Sequence, residues 1–271
     1  MIHRILQGAV LVLLTGSFLQ AQVTFSPKDT VKLFNGKDLS GWTTWLKKTK
    51  GEDPNKVFSV KDGMIHVSGA DNGYLATDKP YANYHFSVEY KWGKEIFGSK
   101  YVRNSGVLLH GTGPDGGAGG TWMASIECQL AQGCVGDVIV IRGKDEKGEV
   151  IPITVSAETE LGPDKHLRWK KGGEPKTFPP TKGQLWWSKH EPGFKELIDT
   201  RGKDDLESPL GEWTKVECIC QGKTIEIRVN GTTVNKAFDV YPAAGKILLQ
   251  SEGFEIDFRR FELKSLPKAE K

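Results

Sequence analysis

Helical signal is nearly absent from this chain. Only Phe194–Thr200 carries enough periodicity for a turn or two, which excludes helix bundles and alternating α/β folds. Cysteine is scarce. There are four, and none precedes Cys128, which leaves no thiol for a lipid-anchored N-terminus. The usual CxxC knuckles of a structural zinc site are missing as well. Cys218 and Cys220 lie two apart in a predicted strand, so they share a face and are poorly placed to bond each other; Cys128 or Cys134 could bridge to one of them. An excess of one charge is also lacking: 37 Lys and Arg face 34 Asp and Glu. The basic runs 47–50 and 169–176 are short and read as solvated loops, not as a nucleic-acid surface.

Long apolar runs are missing too. The longest, Ile5–Leu14, falls short of the ~20 residues that span a bilayer. His3 and Arg4 precede it, and Ala21 offers a cleavage point before Gln22. Residues 1–21 therefore read as an export signal, giving a secreted or periplasmic protein with no stable membrane anchor. The remainder, 22–271, has the length of one large all-β domain. Gly-x-Ser-x-Gly and His-Glu-x-x-His are absent, which removes the sequence case for an elbow-type serine hydrolase or a zincin. The glycine-rich stretch Gly111–Gly120 lacks the Gly-Lys-Ser/Thr ending of a phosphate loop and reads as a mobile loop beside a site.

What is present is alternation. In His85–Trp92, the residues Phe86, Val88, Tyr90 and Trp92 share one face; His85, Ser87, Glu89 and Lys91 share the other. That pattern predicts a half-buried strand. Further strands are predicted at 58–61, 64–67, 105–110, 125–130, 136–142, 213–219, 224–229, 232–237, 245–251 and 255–263. Asn230–Gly231 marks a hairpin, because a type I′ turn needs positive φ at two successive residues. The 32 glycines and 13 prolines punctuate the rest. Many short antiparallel strands imply two packed sheets, a sandwich or jelly roll. The segment from about 143 to 212 is poor in alternation and reads as a long loop excursion.

Six blocks occur in order: LFNGKDLSGW (33–42), NSGVLLHG (104–111), SIECQL (125–130), GEWTKVECIC (211–220), RVNG (228–231) and GKILLQSEGFEIDFRRFELKSL (245–266). Together they resemble a large bacterial family named for 3-keto-disaccharide hydrolase, or 3-keto-glucoside lyase and hydratase, activity. The resemblance implies a concanavalin-like jelly roll with one concave face. It implies a 3-keto-glucoside substrate supplied by an upstream glucoside 3-dehydrogenase. It also implies that the Glu-x-Gln of SIECQL faces the pocket.

On the 125–130 strand, Ser125, Glu127 and Gln129 share the polar face. Glu127 is the foremost catalytic candidate and His110 the second; many family members carry Arg where this chain has His110. Glu89, Lys91, Gln129, Glu252 and Arg259 sit on polar faces of alternating strands and are candidate substrate contacts. Trp169, with Trp186 and Trp187, could stack on sugar rings or plug the sandwich ends. A ketone at C3 acidifies the C2 proton, so elimination needs a base, an acid for the leaving group and an electrophile for the enolate oxygen. Glu127 or His110 could be the base; Arg259, Lys91 or a divalent metal could be the electrophile. An ordinary two-carboxylate glycosidase, pairing Glu127 with Glu89 or Glu252, and a lectin-like module without turnover are the competing readings.

Overall fold

Alternation becomes strand nearly wherever it occurs. The computed structural model describes residues 24–97, 101–178 and 183–266, so the expected export signal lies outside the described residues. Along the chain the strands are β1 (Val31–Lys32), β2 (Trp42–Leu46), β3 (Phe58–Lys61), β4 (Met64–Val67), β5 (Gly73–Thr77), β6 (Tyr84–Ile96), β7 (Gly106–Thr112), β8 (Ala124–Gln129) and β9 (Val138–Ile141). There follow β10 (Thr154–Leu161), β11 (Leu167–Trp169), β12 (Glu174–Phe178), β13 (Gln184–Leu185), β14 (Thr214–Gln221), β15 (Thr224–Val229), β16 (Thr232–Tyr241), β17 (Lys246–Ser251) and β18 (Phe254–Ser265). No helix occurs among the described residues, including 194–200, which forms a turn and one isolated bridge from Leu197 to Tyr101. None is therefore long and apolar enough to cross a membrane.

The strands form two antiparallel sheets. The larger runs β11-β10-β16-β15-β14-β6-β18-β4-β3, with β1 added on β18 and β12 on β10. The smaller runs β13-β9-β8-β7-β17-β5-β2. This is the all-β jelly-roll sandwich that the alternation implies. Phe86, Val88, Tyr90 and Trp92 of β6 and Ile256 and Phe258 of β18 meet Val107 and Leu109 of β7, Ile126 of β8 and Leu249 of β17 in one continuous core. Each such side chain contributes roughly 1.5–3 kcal/mol by leaving water. The hairpin at Asn230–Gly231 has φ of 45° and 82°, the two positive values that a type I′ turn requires.

Two expectations change. The 143–212 segment is not simply an excursion: Thr154–Leu161 pairs with β16, and 167–169 and 174–178 pair with it in turn, extending the larger sheet. Their alternation is masked by Lys, Glu and Thr at a sheet edge, where one face is wet. The four cysteines are free and buried. The expected bridge from Cys128 or Cys134 to Cys218 or Cys220 does not form.

Candidate active site

The side chains of β8 divide between the two faces of the smaller sheet. Ile126 and Cys128 enter the core, so Ser125, Glu127 and Gln129 project from the outer face. Register carries that face across the sheet, with Glu127 opposite Leu108 on β7, Leu108 opposite Leu248 on β17, and Gln250 opposite Tyr74 on β5.

One end of the face is apolar and covered. Tyr74, Ala76, Leu108, Met123 and Leu248 form a second buried cluster with Trp45 and Trp122. The 111–120 loop closes over it and is pinned, contrary to the expectation of a loose loop. The Tyr74 hydroxyl donates to Asp115 Oδ1 at 2.6 Å, and Gly116 N–H donates to the Tyr74 hydroxyl at 3.3 Å. Gly116 has φ 70° and lies so close to the Trp45 indole that a Cβ would stand 2.8 Å from the ring, so only glycine closes the loop.

The other end is polar and under-satisfied. Glu127 is 4% exposed, and its Oε1 has no hydrogen-bond partner among the described residues; nor do Gln250 Oε1 and Asn104 Oδ1. Gly106 makes the room, since a Cβ there would lie 2.3 Å from Glu127 Oε1 and 2.5 Å from Gln250 Oε1. Burial pushes the Glu127 carboxyl well above its ordinary 4.5; the charge of Glu252 adds to this, while a bond from Gln250 opposes it. Burial also pushes Glu252 up, to about 7. Glu252 opens on a cavity of about 350 Å³ with Asn72, Asn104, Phe97 and Tyr101 on its walls. Phe97 and Tyr101 are 44% and 46% exposed. Buried acceptors without partners, two carboxyls with raised pKa and exposed rings make a site for a hydroxyl-rich ligand with an apolar face.

Not every residue expected here is present. Glu89, Lys91 and Arg259 lie on the outer face of the larger sheet, across the core from Glu127. There Arg259 Nε and Arg260 Nη1 each donate to Glu89 at 2.7 Å, and the Arg259 guanidinium stacks on Trp213 at 3.9 Å. The Lys91 ammonium lies 4.9 Å from the same ring. Alternation identifies a polar face but not its sheet, and in a sandwich the two outer faces point apart.

His110 is also displaced. A bulge in β7 gives it φ 56°, and its ring turns edge-on to the core residue Tyr84. Its Nδ1 bonds the Pro242 carbonyl at 2.8 Å, and burial pushes its pKa down to about 4. Such a group is a neutral interior histidine. Gln129 projects from the expected face, yet its Oε1 accepts from Leu130 N–H and Ala131 N–H and closes the following turn. Trp169 sits on the edge strand of the larger sheet, away from Glu127. Trp186 is sandwiched by His166 and His190 at 3.9 and 3.8 Å, so both its faces are taken. Trp187 is buried in the core.

The reading of the sequence missed Phe97 and Tyr101. Two aromatics flanking the polar stretch 98–100, beyond the end of an alternating run, were the available signal. One mixed donor group with potential for metal lies among the described residues: Cys134, Asp137 and His190, with donor atoms within 4.8 Å of one another. It contains neither Glu127 nor Glu252.

Fold and site together define a carbohydrate-related jelly-roll protein. The profile of the 3-keto-alpha-glucoside-1,2-lyase-like domain matches residues 29–264, and the chain belongs to that family. Among solved structures, a provisionally assigned glycosyl hydrolase from Parabacteroides distasonis is 20% identical, with a TM-score of 0.51 over 88% of this chain and 94% of that one. A carbohydrate-binding module from Bacillus subtilis is 11% identical, with a TM-score of 0.46 over 83% and 96%. A β-glucanase from Bacillus licheniformis is 12% identical, with a TM-score of 0.44 over 88% and 99%. No curated protein sequence matches the chain.

Proposed function

We propose that this protein cleaves 3-keto-glucosides by elimination, followed by addition of water. The feature that carries the reading is the pair of buried carboxyls, Glu127 and Glu252: burial raises both, and the charge of Glu252 raises Glu127 further. Such a pair divides into an acid and a base. Glu252, poised near neutrality, is the base for the acidified C2 proton. Glu127, held protonated, is the acid. This reverses the expectation that Glu127 or His110 is the base, because His110 is enclosed and Glu127 is too deeply desolvated to stay ionised.

The steps balance as follows. Glu252 takes the C2 proton, and the electron pair moves onto the C3 oxygen as an enolate. The amides of Gln250 and Asn104 are the neighbouring groups able to meet that oxygen. The enolate then collapses, the C1–O bond breaks, and the leaving oxygen takes the Glu127 proton. The sugar is left with a C1=C2 double bond conjugated to the C3 ketone. Water adds at C1 and C2 receives a proton, with the two carboxyls exchanging roles. Phe97 and Tyr101 are suited to stacking on a sugar ring. A lectin-like module would need the aromatics and amides, but not two carboxyls with shifted protonation.

A chromogenic 3-keto-glucoside and its unoxidised parent, each assayed with and without chelator, test the reading. Release from the keto sugar alone is expected, since without the ketone the C2 proton is not acidic. Equal release from the parent would favour the two-carboxylate route. Binding of both without turnover would make the chain a lectin. The reading also includes export, with a mature start at Gln22, and a partner oxidoreductase that makes the C3 ketone. N-terminal sequencing of the exported protein checks the former.

A further inference from the structure

Beyond β8, the sequence Cys-Val-Gly-Asp folds into a tight turn. Asp137 N–H donates to the Cys134 carbonyl at 3.0 Å, and Gly136 takes φ 93°. The turn brings the Cys134 thiol and the Asp137 carboxylate to one side. A second turn, closed by His190 N–H on the Trp187 carbonyl at 3.1 Å, presents the His190 ring to them. All three residues are at most 2% exposed.

The spacing within this group is longer than in the two close His–carboxylate bonds of the larger sheet. His66 bonds Asp257 at 2.8 Å and His85 bonds Glu217 at 2.9 Å, ordinary charge-assisted distances. His190 Nδ1 stands 3.4 Å from Asp137 Oδ1 and 3.3 Å from Oδ2, although the pair is buried where a close bond should be strongest. Ligands at 2.0–2.3 Å around a tetrahedral ion are separated by about 3.3–3.8 Å. The pair is too far apart for a good hydrogen bond and at the right distance to share an ion.

The donors are also held from behind. Trp187 N–H and Gln184 Nε2 donate to the two oxygens of Asp137 at 2.7 and 3.1 Å. Trp186 stacks on the His190 ring, and Arg168 Nε donates to the His190 carbonyl at 2.8 Å. Outer contacts of this kind orient metal ligands. The Cys134 thiol donates to Glu196 Oε1 at 3.7 Å, which holds the sulfur in place.

We infer that Cys134, Asp137 and His190 form a structural site for a divalent ion of the zinc class, completed by water. A sulfur, nitrogen and oxygen set suits a borderline-soft tetrahedral ion and not magnesium or calcium. The ion would tie the segment around 187–196 to the turn after the strand that carries Glu127. The thiol is deprotonated on binding, its proton leaving to solvent.

The test uses the full-length protein. Purified without chelator, it should carry about one zinc per chain by elemental analysis. Stripped and reloaded with cobalt, it should show a near-ultraviolet thiolate-to-cobalt charge-transfer band. Cys134→Ser and His190→Ala should lose stoichiometric binding, and Cys220→Ser should keep it. Should the first two variants fail to fold, the wild type still decides. Zinc at 100 times its Kd should raise the folding constant of stripped protein about 100-fold. A stripped wild type that takes up no cobalt, shows no thiolate band or gains nothing from zinc overturns the site, as does an undiminished band in Cys134→Ser.

Discussion

The two outer faces of the sandwich carry similar residues in opposite states. On the larger sheet, three carboxylates near the middle of the central strands have partners: Glu89 holds Arg259 and Arg260, Asp257 holds His66, and Glu217 holds His85 and Lys215. On the smaller sheet, among the described residues, Glu127 has an oxygen without a partner and no ion pair, and Glu252 is raised by burial alone. Both faces arise from the same alternation. What separates a solvated face from a site is whether its charges are already neutralised. A paired carboxylate has little reactivity to offer, whereas an unpaired buried one is costly and persists where something else completes it.

The largest expected effect contrasts the two faces directly. Glu127→Gln and Glu252→Gln should each lower turnover of a 3-keto-glucoside by ~10²–10⁴-fold, the usual worth of a positioned acid or base. Glu89→Gln should leave kcat/KM within about twofold, because its ion pairs lie on the other side of the core and surface pairs contribute little. A steady-state comparison of the three variants, with circular dichroism to show retained fold, measures this. Comparable losses in all three would erase the distinction between the faces.

A second difference concerns pH. Burial raises Glu207, where Tyr90 O–H and Trp92 N–H donate to one oxygen while the other has no partner, from its ordinary 4.5 to about 7. Below about pH 4.5 the group is protonated in folded and unfolded chains alike, and stability is unaffected. As pH rises from 4.5 to 7 the unfolded chain ionises first, so stability falls, and above about 7 it levels off. The loss is roughly 3 kcal/mol for a shift of this size. Urea midpoints across pH 4 to 8 should decline through that window, with Glu252 contributing in the same direction. Glu207→Gln should flatten the decline whatever it does to absolute stability; an unchanged slope would mean that Glu207 is ionised in the native protein.

Gly106 sharpens the comparison sterically. A methyl group there would meet both Glu127 and Gln250. Gly106→Ala should cost about 1–3 kcal/mol, typical of overpacking, and should lower activity by displacing the two groups. Thermal unfolding together with kinetics checks both. An alanine variant of unchanged activity would show that the pair has more freedom than its packing suggests.

Much of this was readable before any coordinates. The core faces of β6, β8 and β18, the Asn230–Gly231 hairpin and the outward aim of Glu127 follow from a period of two and one turn rule. The assignment of each polar face to a sheet does not, because it depends on long-range pairing, and so Glu89, Lys91 and Arg259 were grouped with Glu127. His110 was misplaced by a bulge, since one residue with positive φ reverses every inference from alternation beyond it. The Cys134-x-x-Asp137 turn was overlooked because its fellow ligand lies 53 residues on from Asp137, at His190.

The smallest expected effect lies in the Glu89–Arg260 pair. Arg260 sits at a β18 irregularity with φ 57°, and this turns it to the same side as Arg259, so that both guanidiniums reach one carboxylate. Its side chain is 67% exposed. Water and salt screen it, and Glu89 keeps Arg259, which is stacked on Trp213, when Arg260 is removed. Arg260→Ala should therefore change stability by less than about 1 kcal/mol, and a double-mutant cycle with Glu89→Gln should give a coupling of about 0.2–1 kcal/mol that fades with added salt. A salt-resistant coupling of several kcal/mol would indicate that this face too excludes water, and the contrast with the Glu127 face would fail at its root.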